Sequence, residues 1–238
     1  MLTDNKFSKY LLYAIGEIVL VVIGILIAIE LNSIKNENEK RNDEIIHLEN
    51  LLSDLKQDKT ALIKIIERRE SKSRSSKTME SNYDAHEVDN INDYYSHLMN
   101  VLYWDAHNPS LITFNELINS GKLSSLSNDN IKYLLLQIDY KYNELFEVRK
   151  HLYEDYWEYF YRPFADAIDY EQAIIAWTEP NRDIELSKEF VEIALESKRI
   201  KNGFTLATFN NNILAEQLSE ILIKVDSTIV FIEQEISK

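Results

Sequence analysis

The sequence predicts an all-α protein: an N-terminal transmembrane helix that continues into a long juxtamembrane helix and packs in an antiparallel helical bundle. Three observations predict it. Only 4 of the 238 residues are Gly and 3 are Pro, whereas strands and hairpins need turn residues about every ten positions. Residues 11–29 are almost wholly apolar. Two long stretches, 45–66 and 205–236, then repeat apolar residues at three- and four-residue steps, the period of a helix with one buried face.

The chain divides into a tail (1–10), a membrane helix (11–32), an amphipathic, coiled-coil-like helix (33–71) and a helical-bundle domain (72–238) that packs with it. The apolar run Leu11 to Ile29 makes about 28 Å of helix, close to one hydrocarbon core. A polar run, "NSIKNENEKRND", follows it with no small-x-small cleavage site, so an uncleaved anchor is expected. Lys6 and Lys9 precede the span, and Lys35, Lys40 and Arg41 follow it, a nearly balanced count. The short tail favours an N-terminus inside the inner (cytoplasmic) membrane, with the large domain periplasmic.

Glu17 is the one charge within that run. Steps of three and four place Ala14, Glu17, Val21, Gly24 and Ala28 on one face, with Gly16 adjacent. Small residues let helices approach closely in lipid. The face is therefore expected to pack on another helix, with Glu17 protected in the contact or lining a polar path. The alternative is a protonated or snorkelling carboxylate.

Ile45, Leu48, Leu52, Leu55, Leu62 and Ile66 form an expected a/d seam of about three heptads, with Lys59 interrupting. Its partner is a second copy or the chain's own later helices. The stretch from Arg68 to Asn90 is polar and reads as a loop or frayed end, and "KSRSSK" within it as a solvated linker. Helices follow over 88–104, from a cap at Ser110 to a left-handed Gly121, and from Ser127–Asp129 to a stop or kink at Pro163. The last of these is dense in aromatics. It reads mainly as core, with Tyr140, Tyr153 and Trp157 as a possible ligand face. A short helix over 187–200, a turn at Lys201–Gly203 and a long helix from Thr205 to Ile236 complete the bundle.

The formal charge of −14 opposes general nucleic-acid binding. With no cysteine, disulfides and thiolate chemistry are excluded. Glu44 and His47 match half of a di-iron pattern, but the partner pair is missing. No nucleotide loop or nucleophile elbow occurs. No enzyme activity, cofactor or metal is expected.

Two blocks carry a family resemblance. "YLLYAIGEIVLVVIGILIAIELN" resembles the YAxGEIxLVxIGILIAL signature of uncharacterised single-span, membrane-anchored helical proteins from Bacteroidota. "TFNELINSGKLSSLSNDNIKYLLLQIDY" resembles their F-x-x-L-x-x-SGKL block. Gly16, Glu17, Gly24 and Ala28 match the first pattern, and Ser120, Gly121, Lys122 and Leu123 the second. Ser33–Ile34 stand where that family commonly has a Trp-containing segment. The family is a domain of unknown function, so the resemblance implies no activity. The expected function is a membrane-anchored interaction or scaffold protein, bound to the lipid bilayer and assembled as a homo-oligomer or with a partner membrane protein. An anchored ligand-sensing bundle and an oligomeric ion or proton path through Glu17 are the alternatives.

Overall fold

The computed structural model describes residues 4–180, 182 and 184–238, with side chains from residue 10 onward. Residues 1–3 of the expected tail lie outside the described residues. The chain forms two compact units, Met1–Asn50 and Leu51–Lys238. Helix α1 (Asp4–Ala85) supplies the described part of the first and opens the second.

The first unit is one helix. Every side chain from residue 10 to 40 is exposed, and the stretch is long and apolar enough to cross a membrane. Ile45 is half-buried and Leu48 fully buried. Glu44 accepts a hydrogen bond from Arg41 at 2.7 Å.

The second unit is all-helical: the rest of α1, then α2 (Ile91–Leu102), α3 (Ile112–Asn119), α4 (Asp129–Tyr156), α5 (Arg162–Phe164), α6 (Tyr170–Thr178), α7 (Lys188–Glu196) and α8 (Lys198–Ile236). A 3-10 turn spans Lys122–Ser125 and a π turn spans Trp157–Tyr161. The three long helices bury strict three-four seams. On α1 the stripe is Leu51, Leu55, Asp58, Leu62, Ile65, Arg69, Lys72, Ser76 and Met79, with Ser73 and Ser75 also buried beside it. On α8 they include Phe204, Ala207, Asn211, Leu214, Leu218, Ile221, Val225, Thr228 and Ile232. On α4 they are Ile131, Leu135, Ile138, Tyr142, Leu145, Leu152 and Tyr156, with half-buried Arg149 filling the gap. This spacing keeps one stripe of each helix facing its neighbours.

Helix α8 runs antiparallel to both partners. Lys56 pairs with Glu233 and Lys59 with Asp226, each at 2.8 Å, and further along α1 Arg69 meets Asn211. From the α4 side, Asn128 meets Glu235, Lys141 meets Glu220, and Asp155 meets Asn210. The exposed ion pairs mark the register more than they stabilise it. The α1 seam thus pairs within the chain. It also differs from the expected one: Leu48, Leu55 and Leu62 are buried, but Leu52 and Ile66 only flank the buried stripe.

The "KSRSSK" stretch is not a linker. The polar segment stays helical to Ala85, and Lys72, Ser73, Ser75 and Ser76 are buried. Small hydroxyls occupy a close helix contact and find neighbours there: Asn100 donates to Ser71 and Ser75, and Ser73 donates to the Thr208 carbonyl. His86, at φ 54°, takes the left-handed position that ends α1.

Gly121 adopts the expected left-handed conformation, φ 71°, after α3. Gly203 does not form a turn. It lies inside α8, where an added Cβ would sit 2.7 Å from Tyr159 Cβ and 2.9 Å from the Phe160 ring. Glycine is needed for a close crossing, not for a bend. Opposite it lies the π turn, just before Pro163. A proline ring clashes with the carbonyl four residues back and removes one backbone donor, and a wider turn absorbs both defects. The turn also brings Phe160 and Phe164 in line with Tyr156, where they join Phe204 and Phe190 in an aromatic cluster.

Candidate functional site

The α1 seam carries Asp58, Arg69, Lys72 and Ser76 where a coiled coil places aliphatic residues. Burying such groups is costly unless each finds a partner. For Asp58, Arg69 and Lys72 partners come from the segment joining α2 to α3, Tyr103 to Leu111, which lies against the long helices; the buried Ser76 hydroxyl has no hydrogen-bond partner among the described residues.

Asp58 organises the first cluster. Its Oδ2 accepts a hydrogen bond from the Tyr142 hydroxyl at 2.5 Å, and its Oδ1 lies 3.0 Å from His107 Nε2. The carboxylate accepts only, so the matched arrangement carries a hydrogen on Nε2. Burial, then the Asp58 charge, holds the Tyr142 hydroxyl well above its usual pKa. Ser110 N–H donates to Asp58 and Thr113 N–H to Asp54, at 3.4 and 2.8 Å. These two carboxylates, one turn apart on α1, cap α3 from outside. Ser110 is therefore not the local cap; Leu111 holds that position and makes no side-chain cap bond.

Asp105 organises the second cluster. Arg69 Nη2 lies 3.0 Å from its Oδ1 and donates to its carbonyl at 2.8 Å. Lys72 Nζ lies 3.5 Å from the same Oδ1 and donates to the Tyr103 carbonyl. Arg68 reaches the other carboxylate oxygen from the surface. Arg69 also donates to Asn211 Oδ1, and Asn211 Nδ2 donates to the Tyr156 hydroxyl and to the Ala207 carbonyl. Burial lowers the Lys72 pKa to about 8, against the opposing pull of Asp105. Burial likewise pushes Tyr156 up to about 12.

Four carbonyls, one at the end of α2 and three along the loop, are thus held by side chains from different elements. Tyr161 takes that of Leu102, Lys72 that of Tyr103, Arg69 that of Asp105 and Arg149 that of His107. A segment without regular structure has no backbone partners of its own, so side chains supply them.

Between this segment and α4 lie two adjoining depressions of about 340 and 300 Å³ that share Phe146 and Arg149. The larger reaches His107, Asn108, Asn115, Asp139, Tyr142 and Asn143. The smaller is walled by Trp104, Tyr153, Lys150 and Glu154. Trp104 meets Tyr153 edge to face at 5.6 Å, and the Arg149 guanidinium lies 5.9 Å from the Phe146 ring centre. Burial first, then nearby Arg69, lowers the Arg149 pKa. Of the expected ligand face, Tyr153 borders this groove. Tyr140 and Trp157 are exposed elsewhere on the helix, Tyr140 donating to Glu144 and Trp157 standing against Tyr161. Sequence reasoning missed His107, Arg149, Phe146 and Trp104. The polar seam positions were the available signal, since a three-four repeat continues through Arg69, Lys72, Ser76 and Met79.

On the apolar helix, Ala14, Gly16, Glu17, Val21, Gly24 and Ala28 are all exposed. Nothing lies within 4 Å of a Cβ added at Gly16 or Gly24. Ala14, Glu17 and Val21 line one shallow surface depression. Among the described residues, no group of three or more His, Asp or Glu is placed to hold a metal ion.

Fold and site together define an all-helical bundle with a buried ionic seam, joined to one long apolar N-terminal helix. The chain belongs to the family of unknown function DUF6090, whose model matches residues 17–160. The match opens at Glu17, contains both ionic clusters' α1, loop and α4 residues, and ends in the π turn. No curated protein and no solved structure matches the chain.

Proposed function

We propose that this protein is a membrane-anchored, non-catalytic interaction module that assembles through its membrane helix. The uncovered apolar surface of residues 10–34 carries the reading. Such a surface is stable only against lipid or another apolar helix. On it, Glu17 shares a face with Ala14, Val21, Gly24 and Ala28, the kind of small-residue stripe that favours helix contact in a bilayer. The bundle supports the non-catalytic part, because Asp58, His107, Tyr142, Arg69 and Asp105 are engaged with one another in holding a loop.

Crosslinking and sizing in native lipid test assembly. Gly24→Leu is expected to reduce the oligomer, and undiminished assembly would overturn the proposal. The proposed orientation, with the bundle periplasmic in the inner membrane, is tested by labelling. The chain has no cysteine, so Ser237→Cys offers one target. An impermeant maleimide should label it in intact spheroplasts.

A second reading is favoured by one observation, the groove beside Trp104, Phe146, Arg149 and Tyr153. A concave surface with aromatic walls and a few polar groups is the usual form of a ligand site. In this reading the bundle senses a ligand, and the membrane helix transmits occupancy to its partner.

A further inference from the structure

We propose that the groove between α4 and the 104–115 segment binds an acidic saccharide, with Arg149 holding its carboxylate and Phe146 stacking on its ring. This deepens the ligand-sensing reading and rests on it.

Charge is the first argument. The chain carries −14, yet the groove backs onto a local surplus of cations. The two clusters together hold the cations Arg68, Arg69, Lys72 and Arg149 against the carboxylates Asp54, Asp58 and Asp105. Of the groove's own lining, Lys150 is paired with Glu147 at 3.0 Å. Asp139 and Glu154 are its two acids, and Asp139 accepts a hydrogen bond from Asn143.

Arg149 is the second argument. One guanidinium nitrogen donates to the His107 carbonyl at 3.1 Å. Among the described residues, no carboxylate pairs with it. A guanidinium oriented by one bond offers its remaining donors as a fork for a carboxylate.

The third argument is the company Arg149 keeps. Phe146 is 57% exposed beside it, and Trp104 and Tyr153 stand at the far wall. An aromatic face of this kind stacks on the C–H face of a sugar ring. Asn108, Asn115 and Asn143 line the larger depression with donors and acceptors, and Asp139 adds a pure acceptor. A bare dicarboxylate would leave those groups unmatched. A ring that carries hydroxyls beside its carboxylate matches them. The larger depression, at about 340 Å³, lies within the usual range for a small-ligand site. The second, sharing Phe146 and Arg149, leaves room for a linked unit.

Calorimetric titration of the full chain in lipid nanodiscs tests this with three probes: tri-galacturonate, neutral maltotriose and tricarballylate, which has carboxylates without a ring. Tri-galacturonate is expected to bind, with maltotriose at least about tenfold weaker, as for loss of one charge-assisted contact. Arg149→Gln and Phe146→Ala should each weaken tri-galacturonate about tenfold or more, and Arg149→Lys less than Arg149→Gln. Circular dichroism and melting confirm that the variants fold. Equal binding of maltotriose, or unchanged binding by folded Arg149→Gln, overturns the proposal. Equal binding of tricarballylate overturns the saccharide while leaving the ligand-sensing reading intact. If no probe binds, the saccharide proposal falls. A fragment screen read by ¹⁹F-labelled Trp104 then decides the sensing reading separately, which falls if no fragment perturbs that residue.

Discussion

Helix α1 carries charge in two very different settings. Glu17 is a lone carboxylate on an apolar helix whose neighbours are all exposed. Some forty residues later, Asp58, Arg69 and Lys72 are charged groups in a packed seam, each within reach of a counter-charge or a carbonyl. In the first setting the surrounding medium decides what the charge costs. In the second, the fold does so by laying a loop against the helices, with Asp105 and His107 buried to meet it. A polar residue in an apolar pattern can thus mark an exposed surface awaiting a partner or an interior already supplied with one.

The largest expected effect comes from leaving a buried charge unpaired. Asp105→Ala should cost the bundle about 3–5 kcal/mol in urea unfolding. Arg69→Met and Lys72→Met combined with Asp105→Leu should cost much less than the sum of the single changes, because no buried charge is then stranded. Additive costs would show that the three residues are not one unit.

Glycine sharpens the comparison in the same way. Gly203→Ala should destabilise by up to about 3 kcal/mol, since its Cβ would overlap Tyr159 and Phe160. Gly16→Ala should leave the bundle's unfolding unchanged, because nothing surrounds that position.

Lys72 makes the contrast pH-dependent. Its folded pKa, about 8, lies below the ordinary 10.5. Between those values the unfolded chain binds more protons, so this group's contribution to stability rises with pH. The burial cost is fully present below pH 8 and relieved as pH climbs toward 10.5. Above about pH 10 the sign reverses, because Tyr95, Tyr156 and Tyr161 keep their protons up to about 12 only when folded. Unfolding curves should therefore gain about 2 kcal/mol from Lys72 between pH 7 and 10. Lys72→Met should lose that slope and keep the fall above pH 10.

The smallest expected effect is at Glu17. Glu17→Gln should shift the unfolding of the bundle by less than about 0.5 kcal/mol, measured in the same urea titrations. A larger shift would mean that the carboxylate stabilises the bundle as well as the membrane segment.

Legibility followed periodicity. The apolar helix and the helical classes of α4 and α8 were plain, because their patterns are continuous. The αL glycine at 121 was plain too, because few other residues tolerate that conformation. The α1 seam was only half legible. Leu48, Leu55 and Leu62 were found, but the alternation that completes them runs through Asp58, Arg69, Lys72 and Ser76, which a hydropathy pattern reads as breaks. The same blindness turned "KSRSSK" into a linker and left the groove unseen, since Arg149 and His107 gain meaning only beside each other. Gly203 was misread because glycine has two uses, turning and close approach, and sequence does not separate them.

By itself the sequence determined an all-helical protein with one long apolar N-terminal helix, because helix period and apolar length are local properties of the chain. Only the tertiary structure decided which helix faces are buried, which charges are paired and where a groove opens. Those depend on residues far apart in the chain, and the energy of a buried charge is set by what lies across from it.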